Sequence, residues 1–598
     1  MSDVLSITER LALVRQQLKK QQIHALIIPH DDAHLGEYTA PADERLAWIS
    51  GFTGSAGVAV VSLDKAALFA DGRYTVQARQ QTEGSEFECH HLIDEPFLDW
   101  IIQQLPAESV VGIDANLHSY DWYQRAETSL SAAGIQLKAL LENPIDHSWD
   151  DQPARPNSPV RLFSEELAGS SSADKRQHIA TELRNQNADA VLLTQCESIN
   201  WLLNIRGNDI PSFPVAQAFA VMYSNAAVDL FIDPTRLDSQ FNQHVGQDVS
   251  VYPADHLADA LKRLGEDKLA IWLDPQTCNA ANALALKNHG ATFVFSADPC
   301  ALPKATKNHA EITGMIEAHR KDAVAMCHFL CWLDKVLADS WEGSEAELAD
   351  KAEHFRQQQP GYLEPSFATI SALGPNAALP HYNFRNAEPR ELGVDGIYLI
   401  DSGGHYNEGT TDITRTICVG EVRDDMRRLF TLVMKGHIAL SQAKFPKGTS
   451  GIQLDVLARL PLWQAGYNFD HGTGHGVGHV LSVHEGPQRI SPKGSQIALV
   501  PGMVISNEPG YYRENSFGIR CENLVRVIAD EAETEITRYA FANLTLVPFD
   551  QRLLMTELLS DAEKQWLNDY HQQVFDTISP SLLGDELLWL EQATKAIA

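Results

Sequence analysis

The sequence has no run of about 18 apolar residues, so it offers no conventional membrane-spanning helix. Its first residues, Met-Ser-Asp-Val-Leu-Ser-Ile-Thr-Glu-Arg, bring acids early and no apolar core, and a secretory signal is not expected there. Cysteine is sparse: eight residues are scattered from Cys89 to Cys521 without a repeating framework, as a reducing cytoplasm favours. Cys327 and Cys331 stand one helical turn apart in an apolar segment and read as core residues. Positive charge is also short. With 47 Lys and Arg against 79 Asp and Glu, the net charge of −32 disfavours nucleic acid and anionic membranes as partners. What remains is a globular composition, 44% hydrophobic and 21% charged, over 598 residues, which is enough chain for about three or four domains.

The amino-terminal half reads as two copies of one pattern. Ser6-Ile-Thr-Glu9 is a capping box, and Ile7, Leu11, Val14 and Leu18 follow at helical spacing. A buried strand, His24 to Ile28, comes next, then Leu46 to Phe52, a strand pair around Val58 to Phe69, and Asp71-Gly-Arg73. The same order returns in a helical stretch Asp174 to Gln186, a strand Ala190 to Thr194, Ile199 to Ile205, and Ala218 to Asp233. In this register Ala-Leu-Phe-Ala-Asp71 matches Asp-Leu-Phe-Ile-Asp233, so two tandem α/β domains are inferred. Ser148 to Pro159 and Pro299 to Asn308 read as linkers. A long helix then starts at Asn308, with Ile312, Met315, Ile316, Ala323 and Leu330 on its buried side. Ser344-Glu-Ala-Glu347 and Ser560-Asp-Ala-Glu563 are further capping boxes, the second opening a helical tail.

The carboxy-terminal half carries the chemistry. In Gly396 to Thr416 two strand-like runs flank turn residues Asn407, Glu408 and Gly409, and a hairpin turning between Tyr406 and Asn407 sets Asp401 opposite Asp412. Opposed Cβ atoms in a ladder lie about 4.5–5.5 Å apart, a separation two carboxylates tolerate when a cation lies between them. A second hairpin centred on Asn515 opposes Glu508 and Glu522 in the same way. Between the hairpins lies His471-Gly-Thr-Gly-His475-Gly-Val-Gly-His479, followed by His484. The histidine spacing of four suits a helix, but glycine at 472, 474, 476 and 478 argues for closely approached extended backbone. One such acid would be an ordinary solvated or capping residue. Four in mirrored positions beside imidazoles suit two divalent cations, Mn²⁺, Co²⁺ or Zn²⁺. Two cations about 3.5–4 Å apart can share a hydroxide and clamp a tetrahedral intermediate.

In order and in local sequence, Asp401, Asp412, His475, Glu508 and Glu522 resemble the pita-bread metallopeptidases, the family of methionine aminopeptidase, prolidase and aminopeptidase P, with creatinase and metal-free relatives. Ile-Asp-Ser-Gly403, Gly-Thr-Thr-Asp-Ile-Thr-Arg415, His471-Gly-Thr-Gly-His475-Gly-Val-Gly and Val483-His-Glu-Gly-Pro487 carry that resemblance, which extends over nearly all of the chain. The two tandem domains make it most similar to the long, three-domain, cytosolic Xaa-Pro aminopeptidases. The resemblance implies an α/β (α+β) fold class, with creatinase-like domains at 1–155 and 156–304, a pita-bread catalytic domain at 305–547 and a helical extension at 548–598. It implies two metal ions, most often Mn²⁺, with Asp401 on one, His475 and Glu508 on the other, and Asp412 and Glu522 bridging. It further implies substrate roles for His381, His484 and Arg73, a substrate or supporting contact for His471, and a part in catalysis for His381, His484 and Glu522, with Glu508 the alternative carrier of protons. Peptides with a penultimate proline, a cytoplasmic location and a homodimer are implied in the same way. Prolidase is the rival within the family, and a metal-free peptide-binding protein the rival outside the enzymes. Arg520, two residues before Glu522, is read as orienting that ligand and Arg73 equally as an ordinary ion-pair partner.

Overall fold

A computed structural model describes residues 5–338, 342–393, 396–494 and 496–598. They fall into two compact units, Met1–Glu165 with Ser170–Ala301 and Glu166–Gly169 with Leu302–Ala598.

The first unit opens as its capping box dictates. Ser6 accepts the Glu9 N–H, the Glu9 carboxylate accepts the Ser6 N–H at 2.8 Å, and helix Ile7–Gln21 buries Leu11, Val14 and Leu18. Strands β1 (Ala25–Pro29), β2 (Gly57–Ser62), β3 (Ala66–Ala70), β4 (Phe87–His91), β5 (Val110–Ile113) and β6 (Gln136–Ala139) form a sheet ordered β4-β3-β2-β1-β5-β6. Strands β7 (Ala190–Leu193), β8 (Phe219–Tyr223), β9 (Val228–Phe231), β10 (Val249–Tyr252), β11 (Ala270–Leu273) and β12 (Thr292–Phe295) repeat it as β10-β9-β8-β7-β11-β12. The senses agree too: β1 and β7 are each antiparallel to the next strand and parallel to the fifth of their set. Leu46–Phe52 and its echo fall on helices Arg45–Ser50 and Cys196–Leu203, each stopped by a left-handed residue, Gly51 (φ 76°) and Asn204 (φ 50°). All five residues of β1 are buried, as a central strand covered on both faces must be.

The second unit is built on helix His309–Ala338. Asn308 caps it, its Oδ1 accepting the Glu311 N–H at 3.1 Å while the Glu311 carboxylate accepts the Asn308 N–H at 2.9 Å. Ile312, Met315, Ala323 and Leu330 are buried as expected, but Ile316 is 45% exposed. It follows Met315 directly, about 100° further round the helix, and so falls off the buried stripe. Cys327 and Cys331 are free thiols in the core of this helix. Around it run β13 (Ile370–Leu373), β14 (Ile397–Ser402), β15 (Gly404–Tyr406), β16 (Gly409–Thr410), β17 (Ile413–Cys418), β18 (Lys444–Pro446), β19 (Gly474–Gly476), β20 (Glu485–Ile490), β21 (Val504–Asn507), β22 (Gly510–Arg513), β23 (Phe517–Arg520), β24 (Asn523–Ala529) and β25 (Arg538–Asn543). The largest sheet is ordered β18-β25-β24-β21-β19-β20, and β13-β14-β17 form a smaller one. Helices Asp424–Ser441 and Gly451–Gln464 cover them. The tail helix Asp561–Ile578 sinks Leu567, Tyr570, Val574 and Ile578 into the main core of this unit, so the carboxy-terminal extension is an integral layer. Segment 299–308, expected as a linker, is half helix (Ala301–Ala305), and Lys304 and Lys307 within it are buried.

Candidate metal centre

Both hairpins form, and in each the ladder breaks at a carboxylate. In the first, β14 pairs with β17 so that Asp401 lies opposite Thr414, and the tip closes with Tyr406 opposite Gly409. The turn is therefore Asn407–Glu408, one residue later than expected, and Asp412 does not face Asp401 in the ladder. Asp412 sits in the gap between β16 and β17, where the strands cross so closely that a Cβ on Gly403 would collide with the Thr411 carbonyl oxygen. In the second, Asn507 pairs with Asn523 and Gly510 with Arg520, which brackets Glu508 and Glu522 symmetrically about Asn515 as expected. Asn515 takes the left-handed conformation the turn needs (φ 56°).

The histidine stretch is extended. His475 lies on β19, its N–H donating to Ser506 Oγ at 2.9 Å, and a Cβ on Gly474 would overlap the Ser506 carbonyl oxygen. This threads His475 between the hairpins. Ligand atoms of Asp412, His475 and Glu522 all lie within 4.8 Å of one another. His475 Nε2 is 3.5 Å from Asp412 Oδ2 and 3.4 Å from Glu508 Oε1. Asp401 Oδ1, Asp412 Oδ1 and Glu522 Oε1 are buried and accept no hydrogen bond from the protein. Orphaned carboxylate oxygens at this density carry a heavy desolvation cost, and cations are the partners that remove it.

The electrostatics agree. Burial, with Asp412 and Glu508 nearby, pushes the Asp401 carboxyl up to about 6 against the pull of Arg520. Burial and the same neighbours push Glu522 well above the carboxylate range. Burial disfavours the His475 imidazolium, yet Asp412 and Glu508 carry it up to about 9. Without metal, protons take up part of the charge that cations would neutralise.

Arg520 ties the centre together. Its guanidinium donates to Asp401 Oδ2 at 2.5 Å, to Tyr512 Oη at 2.6 Å and to Thr414 Oγ1 at 3.1 Å. Thr414 in turn donates to Glu522 Oε2 at 2.6 Å. Arg520 thus orients Asp401 directly, and Glu522 through a threonine that sequence reasoning passed over. The only sign of Thr414 was its place two residues after Asp412 in Thr-Asp-Ile-Thr-Arg. Tyr512, also missed, joins His471 Nε2 at 2.8 Å, so His471 belongs to the Arg520 network. The His484 ring stacks edge-on against His475 with centroids 4.3 Å apart. His381 is half-buried and follows Pro380, whose carbonyl accepts from Arg520 at 3.3 Å. Arg73 belongs to the first unit, where it pairs with Asp71 at 2.8 Å and covers the Tyr74 ring at 5.2 Å. Because a lysine keeps the charge of Arg520 but cannot fork between four acceptors, Arg520→Lys is expected to lower metal affinity or kcat by about 10–100-fold, read by titration of the chelated protein and by initial rates.

The profile of metallopeptidase family M24 matches residues 313–529, and that of the C-terminal region of peptidase M24 matches 537–597. The chain is 38% identical over 623 residues to a probable Xaa-Pro aminopeptidase P of Tuber melanosporum, covering 100% of both. The chain belongs to metallopeptidase family M24. Two creatinase/prolidase N-terminal domain profiles match this M24 peptidase at 10–143 and 151–311, one over each repeat of the first unit. It is also similar to the crystal structure of an X-prolyl aminopeptidase from Caenorhabditis elegans, described as a cytosolic enzyme with a di-nuclear active site: TM-score 0.95, 35% identity, 99% of this chain and 100% of that one. An Xaa-Pro dipeptidase from Bacillus anthracis, 24% identical with a TM-score of 0.50, shares the fold over 64% of the M24 chain and 99% of its own. Among the described residues no helix is long and apolar enough to cross a membrane.

Proposed function

We propose that this M24 peptidase removes the first residue of peptides whose second residue is proline, using two divalent cations held by Asp401, Asp412, His475, Glu508 and Glu522. The observation that carries this reading is the trio of buried, partnerless oxygens on Asp401, Asp412 and Glu522 beside His475. A set of four carboxylates and one imidazole suits Mn²⁺ first, then Co²⁺ or Zn²⁺. In this assignment Asp401 would hold one cation, His475 and Glu508 would hold the other, and Asp412 and Glu522 would help to hold both. When bound, the cations supply Lewis acidity and an acidified shared water.

The protein's own groups do the rest. Arg520 pulls Asp401 towards its ionised form and aims it. Glu522, which burial and its carboxylate neighbours hold well above the usual carboxylate range, is assigned to take and return a proton. His484, against His475, donates to charge that develops on the scissile carbonyl, and His381 does so from the Pro380 loop. His471 holds Tyr512 and thereby Arg520, while Arg73 is assigned to the substrate from the amino-terminal domain. The domain plan 1–155, 156–304, 305–547 and 548–598 is part of this proposal, as are a homodimer and a cytoplasmic location, the homodimer testable by sedimentation at several concentrations.

Arg-Pro-Pro and Arg-Pro, assayed side by side with Mn²⁺, separate this reading from a dipeptidase. Turnover of the tripeptide at least about tenfold above the dipeptide is expected, since the extra residue brings binding energy only an aminopeptidase uses. Turnover confined to the dipeptide would make the protein a prolidase. Turnover of neither, with no metal bound after reconstitution, would make it a binding protein.

A further inference from the structure

Two lysines, Lys304 and Lys307, converge on one carboxylate deep in the second unit. Lys304 Nζ donates to Glu485 Oε2 at 2.8 Å, Lys307 Nζ to Glu485 Oε1, and the three side chains are 6%, 0% and 0% exposed. Lys307 Nζ also reaches the Ala305 carbonyl at 3.3 Å, and its backbone N–H donates to Gly502 O at 3.0 Å. Gln488 adds a donor to Glu485 at 3.3 Å. Burial works against the charge on Glu485, yet the two ammoniums hold its carboxyl below the ordinary range.

Glu485 is the residue after His484. It begins β20, and its backbone pairs with Gly476, the residue after His475. One peptide unit therefore has its side chain locked to the lysines, its backbone locked to the strand of His475, and His484 on its amino side. Ser482 Oγ closes the other side by donating to the His484 carbonyl at 2.9 Å. Three buried ionic groups are a costly way to fill space, since well-packed apolar residues of like volume commonly do as well or better. What the ions add is direction: a carboxylate gripped at both oxygens leaves the adjoining residue little freedom.

We propose that Lys304, Lys307 and Glu485 form a positioning cluster that fixes His484 against the metal centre, so that the segment leading into the catalytic unit helps set the rate of the reaction. The proposal rests on the assignment of His484 to the active site. Lys307→Met with Glu485→Gln removes one charge of each sign and keeps volume, while Lys304→Gln leaves the Lys307–Glu485 pair and serves if the double variant does not fold. Both are compared, with Mn²⁺ and a penultimate-proline tripeptide, against wild type and His484→Phe for kcat, KM and bound metal. The expected result is a kcat lowered by about 10–100-fold, with KM and metal content near wild type. Wild-type kcat in the folded, metal-loaded cluster variants, with His484→Phe impaired, overturns the cluster and leaves the active-site assignment standing. Wild-type kcat in His484→Phe overturns that assignment and the cluster's role with it.

Discussion

Asp412→Asn is expected to empty the metal centre and lower turnover of an Arg-Pro-Pro peptide by at least about 10³-fold, because a pair of cations is what brings the pKa of water from about 15.7 towards about 7. Asp412 acts on three of the other candidate ligands: it lies 3.5 Å from His475 and raises Asp401 and Glu522 by its charge. The amide keeps the shape and removes the anion both cations need. Stability of the chelated variant should move little, since two effects oppose: relief of repulsion on Asp401 and Glu522, and loss of the partner that holds His475 charged. Metal analysis, initial rates and a melt in chelator read the three quantities separately. Full metal content with wild-type turnover would sink the ligand assignment; lost activity with a collapsed melt would make Asp412 a structural residue.

The contrast between the two hairpins shows what a sequence can convey about such a site. Glu508 and Glu522 are found in register because Asn515 marks a turn that only a left-handed residue makes. Asp401 and Asp412 are displaced because Asn407, Glu408 and Gly409 all favour turns, and composition does not say which pair forms the corner. The candidate ligands stand out even so, since glycine-flanked histidines and mirrored acids are residue types with few other uses in such numbers. The capping boxes are local and come out as read. Thr414 and the grip of Arg520 on Asp401 are not local: they depend on β23 meeting β17 and β14 from more than a hundred residues away, while Tyr512 stands across its own hairpin from Arg520, where its residue type alone gave no sign of a role. The buried lysines of 299–308 mislead for the same reason, charge beside proline reading as a solvated connection until Glu485 arrives from about 180 residues away.

Metal should raise the melting temperature, and by more at pH 8 than at pH 6. In the metal-free protein the Asp401 carboxyl is raised to about 6 and Glu522 well above its usual value. The folded state therefore holds protons that the unfolded chain releases, and stability is lost as pH climbs from the ordinary carboxylate range through the folded values. His475, raised to about 9, adds stability that is fully present below the ordinary histidine value of about 6.5 and is lost as pH rises through 9. All three groups weaken the metal-free fold in the same direction. Cations need these groups deprotonated, so binding expels the protons and tightens with pH, by about 1.4 kcal/mol per unit for each proton displaced. A cation at a hundred times its dissociation constant adds about 2.7 kcal/mol to the folded state, and the margin over the chelated protein widens as that constant falls. Melting curves at pH 6, 7 and 8, with excess Mn²⁺ and with chelator, give the difference directly. A gap that stays constant across those values would mean that Asp401, His475 and Glu522 do not exchange protons for metal.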